Sequence, residues 1–380
     1  MYTERDECTE TSSSPSDCSS SAVLRRTVPT APPLQRSPLS DPELPVSGLD
    51  PEDSTDLSSE TDPEDEATVN EVLKPKSAMA EEREWLLAQF HPSRLQWKNA
   101  DWVVFFWMLS MHIGTAAAII GLCVPSLRAY TFSWPALATA CVLHWFTASI
   151  GICLGYHRGL SHRSFVLSPI ARFVTLMAGA ISGEGSPLMW AASHRLHHAH
   201  SDETGDPHSP LINPWWSHIM WLFIEHPAST RETLFRHFVP DLAKDPLLRF
   251  FERTYGLWLI GTGAILFAVG GLPMLLWAMC LRMTLCYHST WFVNSATHLW
   301  GYRNYDTTDA SRNLWWVAIA AYGEGWHNNH HAHPRVARAG HRWWEIDMTW
   351  YAIRTLQMLG LATKVVDKIP EGRDAAVKKL

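Results

Sequence analysis

Long apolar stretches, separated by short segments that carry histidines, run through most of this chain of 380 residues. Residues 102–124 contain one strongly polar side chain, His112, and residues 134–154 also contain only one, His144. A helix that crosses a bilayer needs about 20 apolar residues at ~1.5 Å per residue. Each stretch therefore predicts one membrane-spanning helix.

A third apolar region, residues 255–293, is long enough for two spans and is interrupted by two glycines and a proline at 270–273. It predicts a helical hairpin with spans at 255–271 and 272–293. Four spans in two hairpins return the chain to its starting side after each pair. The predicted fold is thus all-α: an integral membrane protein with four transmembrane helices in two hairpins and a helical cap on the side of both termini.

The segment 165–182 is also partly apolar, but it carries Pro169 and Arg172. Its uninterrupted apolar run is only about ten residues, which is short of a span. If the segment crossed the bilayer, the polar segments on either side of it would lie in different compartments. We predict an interfacial or partly embedded helix here.

Basic residues indicate the side on which the cap lies. Cytoplasmic loops of membrane proteins carry an excess of Lys and Arg. The connection between the first two spans offers only Arg128, whereas six basic residues flank the spans on the other side: Lys98, Arg158, Arg163, Arg172, Arg303 and Arg312. We therefore expect a multi-pass protein with its cap and both termini in the cytosol.

The first 90 residues differ in composition from the rest. They hold 20 acidic and 7 basic residues, whereas residues 91–380 hold 18 acidic and 24 basic residues. The segment is rich in Ser and Pro and lacks apolar periodicity, so it cannot bury enough surface to offset the entropy of ordering. We predict a disordered acidic tail at 1–90 and a membrane domain at 91–370, with membrane lipid and no nucleic acid among its partners.

Histidines supply the candidate chemistry. Eight of the 20 histidines form three clusters, each just beyond an apolar stretch: His157 and His162; His194, His197 and His198; and His327, His330 and His331. Spacings of three and four residues place side chains on one helix face, and imidazole is a common ligand of transition metals. The pattern favours a metal site at a membrane surface over a merely polar, histidine-rich surface.

Four motifs carry a family resemblance. LGYHRGLSHRSF, HRLHHAHSDETGDPHSP, NSATHLWGYRNYDTTD and GEGWHNNHH resemble the histidine boxes of the Δ9, stearoyl-CoA desaturase-like membrane fatty acyl desaturases, with the bacterial and plant members closest. The likeness runs from about residue 102 to 366. It implies nine histidine ligands for two iron ions, and Asn294 holding a water on the second iron: His157, His162, His194, His197, His198, His298, His327, His330 and His331.

The chemistry of such a site agrees with the resemblance. Removal of hydrogen from an unactivated methylene needs a strong oxidant, which two irons with dioxygen can supply and a redox-silent zinc cannot. Nine histidines and one water fit two ions of about five ligands each. His157 and His162 are five residues apart and do not share an α-helical face, so we expect one on the last turn of the second span and one in the loop. Acidic residues of the second box are candidate partners of ligand imidazoles: Asp202, Glu203 and Asp206.

The substrate of such an enzyme needs an apolar tunnel with a bend. The resemblance implies that Trp190 and Thr290 shape the bend at the reacting methylenes. Ser149 and Trp145 lie eight and twelve residues before His157, on one α-helical stripe. This stripe predicts a tunnel floor at Trp145, although a tryptophan on a packed helix face is an equally good interpretation.

The acyl carrier and the electron donor stay open. The animal acyl-CoA enzymes have charged residues just before the second box, whereas this chain has Ala-Ala-Ser at 191–193. An acyl lipid, an acyl-CoA and an acyl chain on a carrier protein therefore all remain candidate substrates. The sequence has no His-Pro-Gly-Gly haem motif, so we expect a separate ferredoxin or cytochrome b5-like protein to donate electrons.

Alternative functions remain at this point. A di-iron hydroxylase of alkyl chains would share the boxes and the topology. A metal transporter or a haem-binding membrane protein is less favoured, because transport ligands lie at mid-membrane depth. The proposed ligands here lie at or beyond the ends of the spans.

Overall fold

The computed structural model describes residues 78–369 of the chain, and most of them are helical. The helices are α1 (78–88), α2 (Trp102–Cys123), α3 (Pro125–Thr131), α4 (Trp134–Ser161), α5 (Pro169–Ala180), α6 (Pro187–His200), α7 (Pro214–His218), α8 (Ala228–Phe238), α9 (Pro246–Met274), α10 (Arg282–Leu299), α11 (Trp315–Ala320), α12 (His327–Ala332) and α13 (Met348–Met358). A π-type segment, Leu275–Leu281, joins α9 to α10, and three short 3-10 turns occur at Pro92–Arg94, Trp97–Asn99 and Met220–Phe223. Two-residue strands β1 (Val166–Leu167) and β2 (Ala362–Thr363) pair antiparallel.

Three helices of the described part are long and apolar enough to cross a membrane: α2, α4 and the run Pro246–Leu299. Large apolar side chains cover their outer faces, and Val103, Phe106 and Ile113 of α2 are each 60% exposed or more. A continuous apolar surface of this kind marks contact with lipid. The chain is therefore a helical membrane protein.

The helices extend beyond the spans that the apolar sequence predicted. The second span, predicted at 134–154, belongs to a helix that continues to Ser161. The spans predicted at 255–271 and 272–293 belong to a run that begins at Pro246 and ends at Leu299. Hydropathy marks where a helix enters the bilayer, whereas hydrogen bonding continues the helix into polar sequence.

The long run Pro246–Leu299 is broken where the sequence predicted a turn. Gly270 and Gly271 have non-helical backbone angles, with φ −145° and ψ 17° at Gly270 and φ 63° and ψ −149° at Gly271. The conformation of Gly271 is one that L side chains rarely adopt, so a glycine is needed there.

The segment predicted to be an interfacial helix forms α5, which has 12 residues and is shorter than a span. Its buried face packs on α4, where the backbone of Ala178 and Gly179 lies against Gly151. A Cβ atom at Gly151 would lie 2.5 Å from the carbonyl carbon of Ala178 and 2.5 Å from the amide nitrogen of Gly179. This close approach fixes α5 beside the end of α4 that carries His157.

The predicted disordered tail falls mostly on residues 1–77, which lie outside the described residues. Its boundary at residue 90 is wrong, because residues 78–88 form α1. Leu86 and Phe90 are buried and pack in one cluster with α6, α8 and the start of α9. Leu86 in the last turn of α1 and Phe90, four residues later and just past its end, form a short apolar signal that the acidic composition of the whole segment concealed.

Two apolar clusters organise the described residues. One joins α1, α6, α8 and the start of α9 to the end of α4 and to α5. The other joins α2, α4, α9 and the segment up to α10.

Candidate metal centre and acyl cavity

Four helices carry the histidines into one region. His157 lies in the last turns of α4, and His162 follows that helix directly. The second box lies on α6, the third on α12, and His298 lies in the last turn of α10. Eight of the nine predicted ligands thus come from helical residues, which hold their side chains in fixed positions.

The structure brings all nine predicted ligands together in two groups. The five-histidine group contains His157, His162, His194, His198 and His330, and the four-histidine group contains His197, His298, His327 and His331. Within each group the candidate ligand atoms lie within 4.8 Å of one another. Histidines of one box therefore divide between two sites, which the sequence spacing alone did not indicate.

Nε2 atoms face each other within the groups. Their separations are 2.7 Å for His162 and His194, 2.9 Å for His198 and His330, 3.1 Å for His157 and His330, and 3.1 Å for His298 and His327. Two nitrogens bound side by side to one ion at ~2.1 Å lie ~3 Å apart. The observed separations match that arrangement.

Carboxylates hold the other ring nitrogen of four histidines. The Nδ1 atoms lie 2.9 Å from Glu324 for His157, 3.0 Å from Asp206 for His197, 2.7 Å from Asp202 for His298 and 2.7 Å from Asp309 for His331. A carboxylate accepts the Nδ1 proton, so the Nε2 lone pair faces the group. This is the tautomer that a metal ligand requires.

The sequence anticipated only some of these carboxylates. Asp202 and Asp206 contact histidines as predicted, whereas Glu203 is exposed. Glu324 and Asp309 were missed. Glu324 stands three residues before His327 inside the GEGWHNNHH motif, and this proximity is a usable signal, whereas Asp309 stands 22 residues before His331 and only folding brings the two together.

Burial favours the neutral form of three imidazoles in the five-histidine group. Removal from water lowers the pKa of His162, His194 and His198 well below the usual imidazole value, and neighbouring histidines lower it further. Metal binding requires the unprotonated form. The buried Nε2 atoms of His197 and His331 have no hydrogen-bond partner among residues 78–369. A bound ion would account for these two orphaned nitrogens, so the donor set fits a metal.

The winding of α4 brings the two histidines of the first box side by side. From Trp145 onward α4 has π-type hydrogen bonding, and the His162 amide donates to the His157 carbonyl, five residues back, at 3.2 Å. The two rings lie 4.9 Å apart between centroids. A spacing of five, which separates side chains on an α-helix, places them side by side on a π-helix, a form that often occurs at functional sites.

Arg158 secures the Glu324 carboxylate. Its guanidinium lies 3.0 Å from Glu324, and it donates two hydrogen bonds to Asp347, at 2.8 and 3.0 Å. All three side chains are buried. Asp347 caps α13, where its Oδ1 accepts the Trp350 amide, so Arg158 links the first box to the C-terminal part of the described chain.

An apolar cavity runs from the two groups between α4, α6 and α10. Both groups contribute to its wall, through His157 and His194 on one side and His197 and His327 on the other. The remaining lining is mostly apolar or small: Ala148, Ile152, Cys153, Trp190, Ser289, Thr290, Val293, Asn294, Ala321 and Glu324. A cavity of this lining suits a hydrocarbon chain whose reacting carbons reach the metal groups.

The comparisons with known proteins agree with this geometry. The fatty acid desaturase family model matches residues 132–360. The chain belongs to the fatty acid desaturase family. It is 47% identical over 247 residues to the sn-2 palmitoyl-lipid 9-desaturase of Nostoc sp., a match that covers 65% of this chain and 87% of the relative.

Two further relatives differ in the acyl carrier that their names give. The sn-1 stearoyl-lipid 9-desaturase of Anabaena variabilis is 42% identical, over 70% of this chain and 93% of the relative. An acyl-CoA 5-desaturase of Anemone leveillei is 40% identical, over 68% of this chain and 79% of the relative. The relationship to lipid-metabolic desaturases of bacterial and plant type, predicted from the boxes, is thus confirmed.

Trp190 and Thr290 both line the cavity, and a residue that the sequence did not single out connects them. Glu184, in the turn between α5 and α6, accepts hydrogen bonds from Thr290 at 2.6 Å and from Trp190 at 3.4 Å. Burial raises the pKa of Glu184 to about 7, although these hydrogen bonds act in the opposite direction. Trp190 also stacks on His194 at 5.1 Å.

The predicted tunnel floor is not where the cavity lies. Neither Ser149 nor Trp145 is among the lining residues, and Trp145 is 48% exposed on the outer face of α4. The helix contributes Ala148, Ile152 and Cys153 instead. The prediction assumed α-helical spacing, and the π-type winding of this part of α4 rotates a different set of residues towards the cavity.

Proposed function

We propose that this chain is an oxygen-dependent acyl desaturase that introduces a cis double bond at carbon 9 of a saturated acyl chain, at a site of two irons. The observation that carries the proposal is the meeting of the two histidine groups with the head of an apolar cavity. A site where metal ligands and a hydrocarbon channel share one wall suits oxidation of an unactivated methylene.

The five-histidine group would hold one iron and the four-histidine group the other. The second iron would have one nitrogen ligand fewer, and Asn294, which lines the same cavity, would hold a water on it. Bound irons with dioxygen supply the oxidising power to remove two hydrogens. The protein's part is to keep Nε2 lone pairs available, through the four carboxylates on Nδ1, and to exclude bulk water by burial.

The cavity wall would position the acyl chain. Trp190 and Thr290 would press the chain against the metal groups, and Glu184 would hold both side chains in place. Apolar contact along the wall contributes ~0.8 kcal/mol for each buried methylene, so a well-fitted chain of many carbons is held without any charged contact. A fixed chain presents one pair of carbons to the site, which is the basis of a defined double-bond position.

A membrane acyl lipid is the carrier that we favour. The relatives from Nostoc sp. and Anabaena variabilis, at 47% and 42% identity, are named as lipid desaturases. The residues between Trp190 and His194 are small and uncharged, and Ala191 and Ala192 are fully buried, so they offer nothing to a nucleotide phosphate. A lipid substrate needs no such contact, because the bilayer itself delivers the chain.

A topology of four spans suits this function. The Tyr255 hydroxyl accepts a hydrogen bond from the Gly185 amide at 2.9 Å, while Cys286 donates to Glu184 at 3.1 Å. Residues about thirty apart in the long run thus reach the same turn, which supports a reversal of the chain at Gly270 and Gly271. Two hairpins would place both histidine groups on the side of the basic flanking residues, the cytosol.

The reaction consumes two electrons, which we propose come from a separate protein of the ferredoxin or cytochrome b5 type. Delivery from the cytosolic side would suit the position of both histidine groups at span ends.

The test is product analysis in living cells. Expression of the chain in a host without this activity should produce new monounsaturated acyl chains, with the double bond located at carbon 9 by chemical derivatisation and mass spectrometry. The His330→Ala variant, expressed at an equal level, serves as the inactive control. Hydroxylated chains in place of unsaturated ones would refute desaturation.

The metal and the carrier are tested on purified protein. Protein from iron-replete cells should contain about two irons per chain, and one metal per chain in an active enzyme would refute the di-iron site. In nanodiscs, palmitoyl lipid of the same bilayer should be desaturated when a reducing system is supplied. Conversion of added palmitoyl-CoA alone would overturn the choice of carrier.

A further inference from the structure

Tyr322 directly follows a residue of the cavity wall. It follows Ala321, which lines the cavity and whose carbonyl accepts a weak hydrogen bond from Cys153 at 3.5 Å. The Tyr322 ring lies 5.7 Å from the ring of His144. His144 stands one turn below Ala148, the lining residue of α4 farthest from the metal groups. The phenol therefore meets α4 where the cavity wall ends.

The helices that form the sides of the cavity meet near this residue. The helix α10 contacts both α4 and α11, and α11 ends two residues before Tyr322.

A strained backbone holds Tyr322 in this position. Its φ is 53°, in the left-handed region, which is a rare conformation for a bulky residue. The Tyr322 carbonyl accepts both the amide and the hydroxyl of Thr349, at 3.0 and 2.9 Å. The next residue, Gly323, has φ 117° and no room for a side chain, because a Cβ atom there would lie 2.3 Å from Asp347. Strain of this kind persists where the surrounding structure enforces it and often marks function.

The dimensions of the cavity suit a chain-length limit. Ala148 precedes His157 by nine residues, which span at most ~13 Å at an α-helical rise. An extended polypeptide advances about 3.3–3.6 Å per residue, which is three backbone bonds. An extended carbon chain therefore advances ~1.2 Å per bond. The space between the metal groups and Tyr322 therefore holds roughly ten carbons past the reacting position. Natural acyl chains differ over this range.

We propose that Tyr322, rather than Trp145, is the floor of the acyl cavity and sets the longest chain that the enzyme accepts. The inference rests on the proposed desaturase function and adds the residue that determines its chain-length specificity. It assigns the role to the loop after α11, which the third box fixes, and not to a transmembrane helix.

The test measures the ratio of 20-carbon to 18-carbon monounsaturated products in cells supplied with equal stearate and icosanoate, because a 20-carbon chain has about ten carbons past carbon 10 and would reach the ring. Tyr322→Gly removes the ring and tolerates the positive φ. It should raise the ratio by about fifteenfold, because two further methylenes become buried in the cavity. Tyr322→Phe keeps the size of the ring and should leave the ratio unchanged. Trp145→Ala changes the floor that the sequence predicted, on the outer face of α4, and should leave the ratio unchanged.

An unchanged ratio in Tyr322→Gly that retains its iron and its activity would overturn the floor, as would a shift with Trp145→Ala alone. If the Tyr322→Gly protein does not accumulate in cells, the Tyr322→Trp variant provides the test. The larger ring should lower the product ratio, and an unchanged ratio would reject the proposal. A wild-type chain that makes no unsaturated product would instead overturn the proposed function itself. Metal analysis of each variant shows whether a change in products arises instead from loss of the metal site.

Discussion

Replacement of Asp309 by asparagine should weaken the four-histidine group without changing the shape of the site. Asp309 Oδ2 lies 2.7 Å from His331 Nδ1. Its Oδ1 accepts the Ser311 amide at 3.0 Å and the Thr307 hydroxyl at 2.9 Å. One carboxylate oxygen thus accepts the hydrogen bond of the imidazole, and the other accepts hydrogen bonds from Ser311 and Thr307.

These contacts dictate the orientation of the asparagine amide. The Ser311 amide can only donate, so the Oδ1 position must remain an oxygen. The new NH₂ group then faces His331 Nδ1 and donates to it, which moves the imidazole proton to Nε2. A protonated Nε2 cannot bind a metal. The substitution therefore changes the tautomer of His331 while it preserves volume.

The magnitude follows from the hydrogen bond that is lost. The Asp309 side chain is only 9% exposed, so solvent screens the bond little. Loss of a carboxylate that supports a metal-binding histidine weakens metal affinity by about 10–100-fold, or about 1.4–2.7 kcal/mol. We expect one of the two irons to be lost first, with desaturation falling in proportion.

The assay is competition for iron between the purified protein and a chelator of known affinity, followed by metal analysis. Asp306→Asn is the matched control, because Asp306 lies in the same loop and its side chain is 84% exposed. The control should retain both irons. If Asp309→Asn binds two irons as tightly as the wild type does, the tautomer argument is wrong.

Three further predictions concern other residues of the site. His298→Ala should lose iron and desaturation while the chain still inserts into the membrane, and full activity would remove His298 from the ligand set. Arg158→Met should lower the free energy of unfolding by about 3–5 kcal/mol, because it leaves the buried Glu324 and Asp347 carboxylates without a counter-ion; a thermal denaturation midpoint equal to that of the wild type would contradict this. Glu184 has a pKa raised from 4.5 to about 7, so the stability that it contributes is full below pH 4.5 and is lost as pH rises through about 7. Glu184→Gln should remove this decline, and a decline that persists in the variant would assign it to another group.

Local patterns in the sequence were sufficient for the long helices and for the choice of ligand residues. A bilayer imposes a minimum length of apolar sequence, and this constraint acts on each segment by itself. The turn at Gly270 and Gly271 and the short helix at 165–182 could be predicted for the same reason. The repeated spacing of the boxes singled out eight candidate histidines, since three- and four-residue spacings place imidazoles on one helical face, whereas His298 came from the family resemblance.

Only the tertiary structure decided how the histidines divide. His197 and His198 are adjacent in sequence but belong to different groups, because neighbouring side chains on a helix point about 100° apart and meet different partners. Asp309 reaches His331 through the folding of the loop between α10 and α11. No local pattern contains that contact.

The winding of α4 shows the same limit most clearly. Sequence spacing identifies a helix face only when the helix type is known, and α4 changes from α-type to π-type hydrogen bonding at Trp145. That change placed His162 beside His157 and moved the cavity wall from Ser149 to Ala148 and Ile152. The composition of a chain determines which segments enter the membrane and which side chains can bind metal, whereas contacts between segments determine which side chains face one another.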